Sequence, residues 1–223
     1  MSALFADEVA EFLKSNPGFF EQYADLMAQI FVPHPHGGRA VSLAERQMLT
    51  LREKNRATES QLTELIANAT ENDEIAQKVH RLSVGLVSAE SFIATIYLIG
   101  LHLRDDFGVP EVSLRLWEKP AFPGELPEFV AISPELEVFV DTMQQPYCGS
   151  TAGFGAHAWF GAAAEHLRSQ VLIPLRGENG SIGLLAMGSD DPQRFYGEMG
   201  DLFLVRIGEL VSAALVRVAK SST

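Results

Sequence analysis

The chain has 223 residues, 47% hydrophobic and 21% charged: enough apolar mass for one mid-sized core, and not the composition of a disordered chain. Seventeen basic residues against 29 acidic ones leave a net charge of −12, which repels phosphate backbones and anionic headgroups and argues against nucleic acid and membranes as partners. Cys148 is the single cysteine, which excludes an intrachain disulfide and a cysteine-based zinc site and fits a reducing, cytoplasmic setting.

Asp7, Glu8 and Glu11 stand where a signal peptide carries basic residues, so the N-terminus reads as structure. A short helix is expected over Phe5–Ser15 and stops at Asn16-Pro17-Gly18. Phe19, Phe20, Tyr23, Leu26, Met27 and Ile30 mark a second amphipathic helix, so the pair forms a hairpin with an aromatic seam. It is too short to bury a core alone. Val32–Ala40, VPHPHGGRA, is a linker.

Ser42-Leu43-Ala44-Glu45 has the spacing of a capping box, and neither Pro nor Gly follows until Gly85. A helix over Ser42–Leu86 is expected, roughly 68 Å long at about 1.5 Å per residue. Such a helix needs a partner along its length. In one heptad register Met48, Asn55 and Leu62 occupy a positions, and Leu51, Leu65 and Val79 occupy d positions. Asn55 at a favours a parallel pair. A two-chain coil is the leading reading; an antiparallel hairpin broken near Asn68–Asp73 is the alternative. The basic run Arg52, Lys54, Arg56 reads as a solvated helix face.

The helix is expected to continue over Ile75–Val87, with a second over Phe92–Phe107. The second contains the most apolar stretch, about a dozen residues against the roughly 20 a membrane span needs. Val112–Trp117 alternates as a half-buried strand, and Phe129–Ile132 is a candidate short strand. Ser133-Pro134-Glu135 opens a helix whose apolar face holds Leu136, Phe139, Val140 and Met143. Pro146–Gly155 is a Gly-rich loop, followed by a short helix around Trp159. Gln170–Leu175 and Ser181–Met187 are apolar on both faces and belong mid-sheet, joined by a turn at Arg176–Gly180. A last helix covers about Glu198–Ala219, with Leu202, Val205, Ile207, Leu210 and Leu215 inward. The fold class is α+β, with an antiparallel sheet flanked by helices and preceded by an all-α extension.

Phe12–Met27 (FLKSNPGFFEQYADLM), Val32–Arg56, Pro146–Gly149 (PYCG) and Val171–Leu210 together resemble the bacterial domain-of-unknown-function family 484. The resemblance covers nearly the whole chain and implies a GAF-like domain with a six-stranded antiparallel sheet. On that basis residues 1–40 are expected to form the hairpin and linker, 41–73 the dimerisation helix and 74–223 the GAF-like domain. GAF domains commonly bind small molecules and often dimerise through terminal helices. For this family the resemblance implies neither a ligand nor an activity.

No catalytic motif emerges from the residues. GSTAGFG lacks the nucleophile-elbow order and the Lys-Ser/Thr pair of a phosphate loop. His34 and His36 sit in a loop without an acid or cysteine beside them, and His80, His102, His157 and His166 lack metal-site spacing. No metal site is expected. Cys148 is favoured as a buried core thiol over a nucleophile paired with His157. GAF geometry implies a ligand pocket from Arg115, Trp117, Tyr147, Cys148, Phe154, Trp159 and Phe160. Arg115 is open between pairing with an anionic ligand and facing water. The expected protein is a non-enzymatic regulatory dimer that binds a small molecule of unknown identity and acts through a separate protein. The alternative is a structural adaptor with a self-filled pocket that recruits a partner through its N-terminal helices. A small-molecule enzyme is a third, disfavoured reading.

Overall fold

The computed structural model describes residues 5–32, 41–117, 125–151, 156–197 and 200–221. His34, His36 and Phe154 lie outside them. The side chains of Ser42, Glu45 and His157 are also outside the description, and with them the proposed capping box and any Cys148–His157 pairing. The chain divides into two compact units, Met1–Ala69 and Thr70–Thr223.

In the first unit, α1 (Ala6–Ser15) ends where Asn16 Nδ2 donates to Phe12 O at 2.9 Å. The expected second helix is two: α2 (Gly18–Gln22) and α3 (Ala24–Gln29), separated at Tyr23 with φ −118° and ψ 38°. No Pro or Gly marks that break. Tyr23 is held instead by its ring against Phe19, 4.9 Å between centroids, and Phe19 also meets Phe12 at 6.3 Å. The aromatic seam is therefore present, though no residue of α1 or α2 is buried. A two-residue ladder pairs β1 (Phe31–Val32) with β2 (Val41–Ser42).

Helix α4 (Leu43–Ser88) runs unbroken for 46 residues, as the absence of Pro and Gly before Gly85 foretells, so the broken hairpin is not formed. Along its N-terminal part Met48, Leu51, Leu62 and Leu65 are all more than half exposed. Asn55 Nδ2 lies 3.4 Å from Glu59 Oε1, one turn on. Val79 is different: with Leu82 and Leu86 it packs in the core of its own chain, only 9% exposed. One helical stripe cannot face its own sheet and a second helix at once. From Val79 on, the seam read from the sequence is therefore taken up by the chain's own core.

In the second unit, the Ser91 hydroxyl accepts from the Ala94 amide and starts α5 (Phe92–Asp105). The sheet has four antiparallel strands among the described residues, in the order β3 (Glu111–Leu116), β6 (Ser181–Ser189), β5 (Ser169–Arg176), β4 (Tyr147–Gly149). The two strands that read as apolar on both faces are the central pair. Among the described residues the sheet thus shows four of the six strands that the family resemblance implies. Phe129–Ile132 is not a strand: Pro127–Phe129 form a 3₁₀ turn, and the Phe129 ring stacks on Phe92 at 5.9 Å. Conversely, Tyr147–Gly149 leaves the expected loop and pairs with β5 as an edge strand.

One sheet face carries Leu114, Leu116, Val171, Ile173, Leu185 and Met187, covered by the end of α4, by α5 and by α7 (Leu202–Ser221). On α7 the inward stripe is Leu204, Ile207, Val211, Leu215 and Val218, at helical spacing. Leu202 is 56% exposed, because it falls off that stripe, and Val205 and Leu210 are half-buried beside it. The opposite face carries Leu172, Leu184 and Ala186, covered by α6 (Pro134–Thr142) and a 3₁₀ segment, Ala156–His166. That segment bends at Gly161, whose φ of 56° suits glycine.

Candidate functional site

The alternation of β3 decides where Arg115 points. Leu114 and Leu116 enter the main core, so Arg115 stands on the opposite face, in register with Leu184. It neither faces open water nor reaches the main core. It is half-buried, its Cζ lies 5.2 Å from the Trp159 ring centroid, and its Nη1 donates to Leu114 O at 2.9 Å. Burial holds its guanidinium below the ordinary arginine value, with the Glu128 carboxylate partly offsetting this. The charge remains, because arginine starts so high.

Trp117, two residues on, shares that face. Its indole Nε1 donates to Ser181 O at 2.6 Å, fixing the ring. Tyr147 pairs opposite Leu172 and donates its hydroxyl to Ser150 O at 3.1 Å. Phe160 is 8% exposed and packs with Val140, Leu172 and Leu184. Of the residues expected at a pocket, Arg115, Trp117, Tyr147, Trp159 and Phe160 thus gather on one face. Cys148 does not. Opposite Val171 in register, it turns to the main core, half-buried. Burial, reinforced by the Asp201 carboxylate, pushes its thiol up to about 11. That is the reverse of what a nucleophile needs.

Gln170 escaped the sequence reading. It is completely buried on β5, on the same face as Tyr147 and Arg115. Its Nε2 donates to Ser150 O at 3.3 Å, while its Oε1 has no hydrogen-bond partner among the described residues. A buried amide oxygen left unpartnered is costly, on the order of 1–3 kcal/mol. The available signal was a lone amide at the head of QVLIPL, which reads as a strand-starting polar residue until the ladder on both sides of it is known.

The family profile described as "Protein of unknown function, DUF484" matches residues 1–220. The chain belongs to this family. It is 24% identical over 218 residues to the uncharacterized protein YigA of Salmonella typhimurium (strain LT2), spanning 95% of this chain and 91% of that one. Its structure is similar to the GAF domain of the phosphoenolpyruvate-protein phosphotransferase of Acinetobacter, with a TM-score of 0.51 at 16% identity, over 66% of this chain and 96% of that one. The GAF domain of the potassium sensor histidine kinase KdpD of Escherichia coli gives a TM-score of 0.43 at 14% identity, over 66% and 96% of the respective chains. The DUF484 chain is thus GAF-like in fold. No helix among its described residues is long and apolar enough to cross a membrane.

Arg176, read from sequence as the first residue of a turn, holds the site's cover in place. Its guanidinium donates to the Val140, Asp141 and Met143 carbonyls at the end of α6, and its amide donates to Ser212 Oγ on α7 at 2.9 Å. The Asp141 carboxylate answers by accepting from the Ser181 amide at 2.8 Å. Helix α6 is thereby tied to the central hairpin in this DUF484 protein.

Proposed function

We propose that this protein is a non-enzymatic regulatory module of the cytoplasm, which binds a small polar molecule on the Arg115 face of its GAF-like domain. It acts as a dimer through Met48, Leu51, Asn55, Leu62 and Leu65, and its output passes to a separate protein. The observation that carries this reading is Gln170: a fully buried amide oxygen without a partner among the described residues, on the face that also holds Arg115 and its aromatic neighbours. A ligand donor reaching Gln170 Oε1 would satisfy it, and because Arg115 aligns with Pro174, four residues along and two strands away, it would meet an acidic group only at the far end of an extended molecule. The exposed apolar positions of α4 support the dimer. The GAF-like fold is compatible with sensing and does not name a ligand.

The test is native mass spectrometry of the protein purified from cells that make it naturally. A stoichiometric small molecule, released on denaturation and missing from Gln170→Leu, is the expected result. An unliganded parent protein would refute the proposal. One observation favours the adaptor instead: Phe160, Val140 and Met143 already fill part of this face. The adaptor predicts no released molecule, and co-purification of a protein partner that disappears when residues 1–40 are removed.

A further inference from the structure

A cavity lies on the other side of the sheet from Arg115, where the second unit's part of α4 meets α5 and α7. It measures about 390 Å³, within the range of small-molecule sites. Ile75, Leu103, Phe107, Met187, Phe203 and Ile207 supply apolar walls that reach into the main core. Two half-buried cations line the same cavity, Lys78 and Arg194. Lys78 makes no hydrogen bond or ion pair among the described residues. The Arg194 guanidinium is held in place: one Nη2 donates to Phe107 O at 2.7 Å, and Cζ lies 5.5 Å from the Phe195 ring. Both of those partners also line the cavity, and most of the guanidinium's five donors remain uncommitted. Glu71 is the acid on the lining, is exposed, and pairs with neither cation.

Lys78 and Arg194 thus bring two positive charges to the wall of one apolar cavity, neither with a carboxylate partner among the described residues. From this placement we infer a second ligand site, for a monocarboxylate with an apolar tail. The tail would fill the core-lined end, and the carboxylate would accept from Lys78 Nζ and the free N–H groups of Arg194. A compact hydrophilic anion such as phosphate would leave the apolar walls unsatisfied. A neutral alcohol would leave the cations unpaired. The site is independent of the Arg115 face, so either can fail without the other. Bound ligand would bridge α4 residues to α5 and α7, and so stiffen the junction of those three helices.

Isothermal titration with decanoate, below its aggregation threshold, tests the site. Saturable one-to-one binding is expected, weakened about tenfold or more by Lys78→Gln, as loss of a charge-assisted hydrogen bond requires. Decanol is expected to bind at least tenfold more weakly than decanoate. Ile75→Trp, which adds bulk to a cavity wall, should abolish binding while leaving the melting transition cooperative. Lys54→Gln removes the same charge far along α4 in sequence and should bind as the parent does. Equal affinity for decanoate in the parent and in Lys78→Gln, equal affinity for decanoate and decanol, or no binding by the parent would each overturn the assignment.

Discussion

Gly85 stands inside a helix of 46 residues, where glycine costs about 1 kcal/mol relative to alanine. Its structural reason is His102. A Cβ added at residue 85 would lie 2.6 Å from His102 Nε2, well inside contact distance. The imidazole cannot move freely, because its Nδ1 lies 2.6 Å from Asp106 Oδ2, and Asp106 Oδ1 takes the Arg81 Nε at 3.0 Å. Gly85→Ala should therefore gain about 1 kcal/mol of helix propensity and lose about 2 kcal/mol as the ring is expelled from its carboxylate. The net is a loss of about 1 kcal/mol, or roughly 2–4 °C in melting temperature for a domain of this size. In a His102→Ala background the obstruction is gone and the same substitution should stabilise by about 1 kcal/mol. The coupling of about 2 kcal/mol is read from urea denaturation of the four proteins in a double-mutant cycle. An identical change in both backgrounds would refute the assignment of Gly85 to the passage of the His102 ring.

The Asp106 carboxyl is held below its ordinary value first by its hydrogen bond with His102 and then by Arg81, so its contribution is present above the unfolded carboxyl pKa and is lost as pH falls through the folded one. Asp106→Asn should accordingly be less stable than the parent at pH 7 and indistinguishable from it in acid; a constant difference between pH 7 and pH 2 would contradict this. Cys148 should alkylate slowly: with its thiol pushed up to about 11, iodoacetamide at pH 8 meets on the order of a thousandth of it as thiolate, and the rate should climb about tenfold per pH unit up to pH 10. Leu62→Glu with Leu65→Glu, at positions 56% and 65% exposed, should shift sedimentation from dimer to monomer while leaving the melting of the second unit within about 1 kcal/mol of the parent. Leu82→Ala, at a fully buried position of the same helix, should do the opposite, costing about 3 kcal/mol in stability with no change in dimerisation.

Local rules carried the elements with strong punctuation or period. The stop at Asn16-Pro17-Gly18, the uninterrupted α4, the Ser133-Pro134 helix start and the β5–β6 hairpin each depend on residues adjacent in sequence, and each appears where expected. Two errors have one cause. Phe129–Ile132 has a strand's composition but turns because Phe129 stacks on Phe92, and Tyr147–Gly149 has a loop's composition but becomes a strand because β5 offers it an edge. Neither partner is near in sequence.

What the sequence by itself determined is the list of apolar stripes, the helix and strand boundaries set by Pro, Gly and caps, and the absence of a motif that would name a reaction. What only the tertiary structure decided is which partner each stripe meets. Val79 continues the heptads of Leu62 and Leu65 yet is claimed by its own sheet, and Cys148 and Tyr147 are neighbours on one strand yet look into opposite layers. Gln170 is an ordinary polar residue until a ladder closes on both sides of it and strips its amide oxygen of water. The physical reason is that periodicity records only that a side chain leaves water, whereas the identity of its new neighbours depends on contacts between residues far apart in the chain.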